Sequence, residues 1–216
     1  LEHVILKLKA SGFDEIVINV HHFANQILDF LKANDNFGVN IYISDETEEL
    51  LDTGGGLEKA GKYFMPPLHE DKEGILLHNV DILSNCDLQD LIRFHQQNPD
   101  VYATMLVSRR ITSRYLLFDD NNLLCGWINK NTGQVKPAGL EYKKGKYQEY
   151  AYSGIQAINP LLLNKGMRPG KYSIIDFYLQ VCRNIKIQCY PADNLQLIDI
   201  GKPETLIKAE EFLNHL

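Results

Sequence analysis

The sequence predicts an α/β fold built on a mostly parallel, Rossmann-like sheet with helices on both faces. Two observations favour this class: strand and helix patterns alternate through the first half, and the strand segments there are continuously apolar. Residues 110–152 break the alternation with short strands and turns, which predicts a small inserted antiparallel extension. We therefore expect one domain that spans residues 1–216.

The individual elements follow from local patterns. Leu1, Val4, Ile5 and Leu8 share one helical face, and Gly12 ends that helix. Further helices are predicted from apolar residues at helical spacing, at 23–34, 57–64, 87–98 and 172–184, and Asp87 is the candidate N-cap of the helix 87–98. Strands are predicted from short apolar runs, at 15–20, 39–44, 74–80, 101–107, 185–191 and 195–200.

Composition narrows the classes of function. Of the 216 residues, 44% are hydrophobic and 23% are charged, which is ordinary for a globular protein. The formal net charge of -6 argues against nucleic-acid binding. No apolar run approaches the roughly 18 residues that span a bilayer, and the four cysteines have no zinc-site spacing, so we expect a cytoplasmic protein with reduced thiols.

Three constellations could carry chemistry. The segment 50–60, LLDTGGGLEKA, places three glycines before a helix, where backbone and free N–H groups could approach a ligand. Asp81 and Asp199 each follow an apolar strand pattern, and two such carboxylates can converge on one hard cation. Taken alone, the glycines are as typical of a flexible turn, and each aspartate of a turn or cap.

Together with the order of elements, four motifs resemble the sugar-1-phosphate nucleotidyltransferases. The chain is especially similar to N-acetylmuramate-1-phosphate uridylyltransferases and mannose-1-phosphate guanylyltransferase-like proteins. The matching motifs, in chain order, are Asp52-Thr53-Gly54-Gly55-Gly56-Leu57, His78-Asn79-Val80-Asp81-Ile82, Tyr152-Ser153-Gly154-Ile155 and Ile198-Asp199-Ile200-Gly201-Lys202.

The resemblance implies a nucleotide-diphospho-sugar transferase-like fold and a Mg²⁺-dependent enzyme. Its substrates would be a nucleoside triphosphate and a sugar-1-phosphate, and its products an NDP-sugar that serves as a cell-envelope precursor, and pyrophosphate. It implies that Asp81 and Asp199 are catalytic and bind the metal, and that Lys202 contacts phosphate. It also implies two sets of binding residues. The nucleotide would be bound by Thr53, Gly54, Gly55, Gly56 and Asn79. The sugar would be bound by Tyr152, Ser153, Gly154 and Glu149.

Several features depart from the family pattern. The family's glycine-rich strand-to-loop segment is missing ahead of Leu1, and the first strand of the sheet with it. We therefore expect this chain to be a truncated form with little activity. Val80 stands where glycine is usual and Lys202 where threonine is common, and the segment 111–120 lacks the turn of the muramate branch. The base, the sugar and the choice between monomer and homodimer stay open.

Two other functions are compatible with the sequence. One is a cytidylyltransferase for a phosphorylated alcohol such as choline phosphate, and the other is a non-catalytic nucleotide-sugar-binding regulatory protein. His21 and His22 are interpreted as a loop or partly buried histidine pair. Packing on a half-buried strand accounts for four tyrosines that could instead stack on a sugar or base, which are Tyr142, Tyr147, Tyr150 and Tyr152.

Overall fold

The computed structural model describes residues 1–64, 74–201 and 205–214. Helices and strands alternate up to residue 78, and strands outnumber helices from there to residue 158. The helices are α1 (Glu2–Ala10), α2 (Ala24–Ala33), α3 (Asp52–Ala60), α4 (Leu88–Gln96), α5 (Ile174–Val181) and α6 (Leu206–Leu213). The strands are β1 (Glu15–Val20), β2 (Asn40–Asp45), β3 (Ile75–His78), β4 (Ile82–Ser84), β5 (Val101–Ser108), β6 (Arg114–Phe118), β7 (Leu124–Asn129), β8 (Val135–Lys136), β9 (Gln148–Ile158), β10 (Lys186–Pro191) and β11 (Leu197–Asp199).

The chain folds into two compact units, so the single-domain assignment stays a prediction. The first unit comprises Leu1–Lys72 and Pro160–Phe177. In it, β1 and β2 pair in parallel and α2 connects them, which is the predicted β-α-β arrangement. Helix α1 buries Val4, Ile5 and Leu8, the face that its sequence spacing predicts.

The second unit comprises Glu73–Asn159 and Tyr178–Leu216, and it contains a seven-stranded mixed sheet. The strand order is β10-β5-β9-β6-β7-β8, and β3 also pairs with β9. Strands β5 and β10 are parallel, whereas β9 is antiparallel to β3, β5 and β6. Strand β9 follows the β6–β8 meander, in which each turn reverses the chain, and it lacks the helical crossover that parallel neighbours need. The described sheet of this unit is therefore mostly antiparallel, and not mostly parallel as predicted. This meander is the predicted antiparallel extension.

Helix α4 packs against strands β5 and β9 of this sheet. Asp87 is confirmed as the N-cap of this helix, because its side chain accepts hydrogen bonds from the backbone N–H groups of Gln89 and Asp90. At its other end, buried His95 contacts the hydroxyl of Thr104 on β5 at 2.8 Å. Burial lowers the pKa of His95 to about 4, so its ring is neutral at physiological pH.

Candidate active site

Asp81 lies in a turn rather than at the last residue of a strand. Strand β3 ends at His78, and residues 79–81 form the turn that leads into β4. The turn is anchored at its first residue, because Asn79 N–H donates to the Gly154 carbonyl at 2.9 Å. Ile82 N–H closes it on the Asn79 carbonyl at 3.2 Å. The backbone around Asp81 is therefore held by hydrogen bonds that do not use its carboxylate.

Asp199 is the last residue of β11, and strand pairing brings it to Asp81. Strands β4 and β11 are antiparallel, with Asp199 opposite Ile82, the residue that follows Asp81. Ile200 N–H then donates to the Asp81 carbonyl at 2.8 Å. These contacts explain how two aspartates far apart in sequence become neighbours at one edge of the second unit.

Both carboxylates face the space above Gly201. A methyl group added at Gly201 would lie 3.1 Å from Asp199 Oδ1 and 3.1 Å from Asp81 Oδ2. Gly201 N–H also donates to Asp199 Oδ1 at 2.9 Å, which fixes that carboxylate. Partial burial and the negative charge of Asp199 raise the pKa of Asp81. The two side chains thus form a convergent, mutually repelling pair of oxygen ligands.

This pair fits a hard divalent cation. Mg²⁺ prefers oxygen ligands and is usually held by one or two carboxylates, with water and substrate phosphates as the other ligands. Among the residues that the structure describes, no group of three or more His, Cys, Asp and Glu side chains could hold a metal. Lys202, the predicted phosphate contact, lies outside the described residues.

The predicted sugar-side motif lies beside the Asp81 turn. Gly154 has a φ of 80°, and a methyl group there would lie 3.1 Å from Asn79 Nδ2 and 3.0 Å from Ile82 Cγ1. Asn79 therefore packs directly over Gly154. The neighbouring Ser153 is buried, and its hydroxyl donates to the Leu106 carbonyl at 2.7 Å. That bond occupies the hydroxyl proton of Ser153, so it leaves the side chain only as an acceptor.

Tyr152, the first residue of this motif, and Glu149 both lie on β9, and they differ in their surroundings. The Tyr152 ring is half-buried, and burial raises the pKa of its hydroxyl. Glu149 Oε1 accepts hydrogen bonds from Lys130 Nζ at 2.8 Å and Tyr142 Oη at 2.5 Å. Partial burial acts to raise the pKa of Glu149, but these hydrogen bonds outweigh it and lower the pKa. The roles of both residues in sugar binding stay predictions.

The three successive glycines of the segment 50–60 lie within helix α3, not in a loop before it. Gly54, Gly55 and Gly56 are buried. The N–H groups of Gly54 and Gly55 donate to the Tyr172 carbonyl at 2.9 and 3.3 Å. The expectation of free N–H groups is therefore wrong for these two residues, because the chain near Tyr172 folds over them. A methyl group at Gly55 would overlap the Gly170 carbonyl oxygen.

Thr53 is exposed, and its hydroxyl oxygen accepts a hydrogen bond from Ile174 N–H at 3.0 Å. Its own N–H group donates to the Asp52 carboxylate at 2.5 Å. The start of α3 thus has intramolecular partners for most of its donors. Contact between this segment and a nucleobase stays a prediction, and it would use the Thr53 hydroxyl, the Asp52 side chain or backbone carbonyls.

Sequence reasoning missed Asn19 and Glu46. Asn19 lies near the end of β1, and Glu46 directly follows β2. Asn19 Nδ2 donates to Glu46 Oε1 at 2.5 Å and to the Gly56 carbonyl at 3.0 Å. The strand-end position that singled out Asp81 and Asp199 also holds for this pair, and it could have identified them.

Comparison with known proteins supports the resemblance at the sequence level. No protein-family model matches the chain. A UTP-glucose-1-phosphate uridylyltransferase from Synechocystis is 28% identical over 64% of this chain and 36% of its own length. Mannose-1-phosphate guanylyltransferase 1 from Arabidopsis thaliana is 27% identical over 76% of this chain and 42% of its own length. N-acetylmuramate α-1-phosphate uridylyltransferase from Caulobacter vibrioides is 37% identical over 28% of this chain and 26% of its own length.

The predicted resemblance is confirmed. The chain is similar to sugar-1-phosphate uridylyl- and guanylyltransferases, the two groups that the motifs indicated. The matches span less than half the length of these curated relatives. Activity, substrates and partners of the whole protein are therefore matters of proposal.

Solved structures confirm the fold class. HddC from Yersinia pseudotuberculosis, solved in complex with GMP-PN, has a TM-score of 0.71 at 18% identity over 97% of this chain and 84% of its own. The inositol-1-phosphate CTP transferase from T. maritima has a TM-score of 0.70 at 12% identity over 99% and 81%. The nucleotide-diphospho-sugar transferase fold is thus shown for this chain. Among the described residues, no helix is both long and apolar enough to cross a membrane.

Proposed function

We propose that this protein is a nucleotidyltransferase that forms an NDP-sugar and pyrophosphate from a nucleoside triphosphate and a sugar-1-phosphate. The observation that carries the proposal is the convergence of Asp81 and Asp199 above Gly201. The sugar-1-phosphate nucleotidyltransferases among its relatives support the reaction class.

Asp81 and Asp199 would hold a Mg²⁺ ion, which when bound neutralises charge on the triphosphate. The chain keeps both carboxylates close without a cationic side chain in contact with them among the described residues. Asp199 is oriented by the N–H of Gly201, and the Asp81 backbone is tied to β11 through Ile200. This arrangement maintains two negative charges side by side, a state that a divalent cation stabilises.

In the proposed reaction, a phosphate oxygen of the sugar-1-phosphate attacks the α-phosphorus of the triphosphate. A new P–O bond forms, the bond to the bridging oxygen breaks, and pyrophosphate leaves with the electron pair. Such a displacement needs positioned and charge-neutralised reactants more than covalent help from the protein. We assign binding roles accordingly. The residues proposed to bind the nucleotide are Thr53, Gly54, Gly55, Gly56 and Asn79. The residues proposed to bind the sugar are Tyr152, Ser153, Gly154 and Glu149, and Lys202 is proposed to contact phosphate.

A pyrophosphate-release assay tests the proposal. The full-length protein is incubated with Mg²⁺, each of UTP, GTP, dTTP and CTP, and a panel of sugar-1-phosphates. We expect pyrophosphate and a matching NDP-sugar from at least one pair. A protein that is inert with every pair but binds an NDP-sugar in calorimetry would instead be a nucleotide-sugar-binding regulatory protein.

A cytidylyltransferase for a phosphorylated alcohol is the second candidate. The structural likeness to the inositol-1-phosphate CTP transferase favours keeping it. The same assay with CTP and choline phosphate or inositol-1-phosphate separates the two activities. Turnover with these acceptors and not with sugar-1-phosphates would replace the first proposal.

A further inference from the structure

Glu46 is a buried carboxylate that the proposed chemistry does not use. The residue is only 4% exposed, and it directly follows the last residue of β2. A buried carboxylate is costly unless its oxygens have partners. Here Oε1 accepts a hydrogen bond from Asn19 Nδ2 at 2.5 Å, and Oε2 accepts one from Leu51 N–H at 3.0 Å.

Both oxygens connect to the start of α3. Leu51 immediately precedes the helix, and the next residue, Asp52, has a left-handed φ of 60°. Oε2 bonds to Leu51, whereas Oε1 reaches the helix through Asn19, whose amide also donates to the Gly56 carbonyl at 3.0 Å. One carboxylate therefore links the end of β1 to both ends of the segment that contains the glycines.

The surroundings of Glu46 are shaped to hold it in place. Its N–H donates to the Val20 carbonyl at 2.7 Å, and its carbonyl accepts from Glu49 N–H at 3.1 Å. The same carbonyl lies 2.5 Å from His21 Nδ1. A methyl group at Gly56 would lie 2.7 Å from Glu46 Oε1 and 2.9 Å from Asn19 Nδ2. The lack of a side chain at Gly56 is thus explained by the room that this pair requires.

We propose that Glu46 is a positioning residue for nucleotide binding, because its carboxylate fixes the first turn of α3. It holds Leu51 and, through Asn19, Gly56, so that Thr53 and the glycine segment keep one conformation when a nucleotide binds. The inference rests on the proposed function, since only a nucleotide contact at this segment gives the arrangement a role beyond stability.

The substitution Glu46→Gln tests this role with almost no change in size. Both groups that face the carboxylate are hydrogen-bond donors, whereas a glutamine amide offers one acceptor and one donor. Whichever way the amide turns, one contact becomes donor against donor. Glu48→Gln is the matched control, because Glu48 lies two residues away on the same loop, is exposed, and loses the same charge.

The experiment measures nucleotide affinity by calorimetry in the absence of acceptor, then KM and kcat with both substrates. It uses the full-length protein at a temperature where circular dichroism shows every variant folded. We expect Glu46→Gln to weaken triphosphate binding and raise its KM about tenfold, the effect of losing one hydrogen bond to a charged group. The KM for the sugar-1-phosphate and the behaviour of Glu48→Gln should stay within about twofold of the wild type.

A variant that unfolds at lower temperature but binds the triphosphate normally would overturn the inference, because Glu46 would then serve stability alone. If Glu46→Gln does not fold, Asn19→Ala takes its place, since it removes one donor and leaves the Leu51 bond intact. Normal triphosphate affinity in Asn19→Ala would likewise overturn the inference. A wild-type protein that binds no triphosphate would instead overturn the proposed function together with this inference.

Discussion

The Asp81–Asp199 pair and the glycine segment of α3 differ in whether their polar groups already have partners within the protein. At the aspartate pair, two like charges are brought together, with oxygens of both facing one small space. In α3, the N–H groups of Gly54 and Gly55 are already bonded to Tyr172, and Gly56 makes room for a buried carboxylate. The first region has chemistry left to offer a ligand, whereas much of the second is used in holding the unit together.

The contrast shows that a carboxylate near a strand end predicts a ligand site more specifically than a run of glycines does. A carboxylate near a strand end specifies both the group and the edge of the sheet where it lies. A run of glycines specifies only that something comes close, which can be a ligand or the protein's own backbone. Substitutions at the two regions therefore test which polar groups are free to bind a ligand.

The largest effect is expected from removing a carboxylate of the aspartate pair. Asp81→Asn and Asp199→Asn should each lower kcat/KM about 10²- to 10³-fold, the loss typical of a group that stabilises developing charge. Pyrophosphate release at saturating Mg²⁺ measures this loss. Asp120→Asn, an exposed aspartate on the β6–β7 turn, should leave the rate unchanged. Undiminished rates in both substituted proteins would remove these carboxylates from the mechanism.

Gly56→Ala tests whether that glycine serves internal packing. The added methyl group would displace Glu46 or Asn19, and we expect a loss of about 1 to 2 kcal/mol in the free energy of unfolding. If the space at Gly56 instead served a ligand, the substitution should increase the free energy of unfolding, because alanine stabilises a helix by about 1 kcal/mol relative to glycine. Urea unfolding without nucleotide decides between them. Gly61→Ala, which would contact only the flexible Leu163 side chain, is the control.

Gly201→Ala narrows the space between the two carboxylates. The backbone at Gly201 is outside the left-handed region, so alanine can adopt it, but its methyl group would crowd one oxygen of each aspartate. We expect Mg²⁺ affinity to fall about fivefold with little change in folding stability. Calorimetric titration with Mg²⁺ measures the affinity. An unaltered affinity would mean that a cation does not use the space above Gly201.

The smallest effect concerns the pH dependence of stability. The folded pKa of Asp81 lies above its unfolded value, so between the two values the folded state binds more protons. The free energy of unfolding should therefore fall as pH rises through that window. Because Asp81 is only half-buried, solvent screening limits the change to about 0.5 kcal/mol.

Asp81→Asn removes this titration while keeping the shape of the side chain. Metal-free urea unfolding across acidic to neutral pH should then show a smaller fall for the variant than for the wild type. The same fall in both proteins would mean that neither burial nor the charge of Asp199 raises the pKa of Asp81 appreciably.

Local sequence patterns predict most of the helices and strands and the α/β class. Alternating apolar patterns placed α1, β1, α2 and β2 within a few residues of their observed bounds, and Asp87 marked the start of α4. These features depend on local periodicity and on a cap that acts over three residues, so nearby residues suffice to specify them. The same local patterns identified the motifs at Asp81 and Asp199.

The contacts that those residues make depend on the tertiary structure. The meeting of Asp81 and Asp199 depends on the pairing of β4 with β11, which joins segments far apart in the chain. The burial of the glycines depends on the chain near Tyr172, and the direction of β9 depends on the meander before it. Hydrogen bonds between distant segments leave no periodic trace in a single sequence, so the strand pairing, the burial of the glycines and the direction of β9 could not be predicted from it. The convergence of Asp81 and Asp199 was expected from their strand-end positions and from the resemblance, and the structure brings them together.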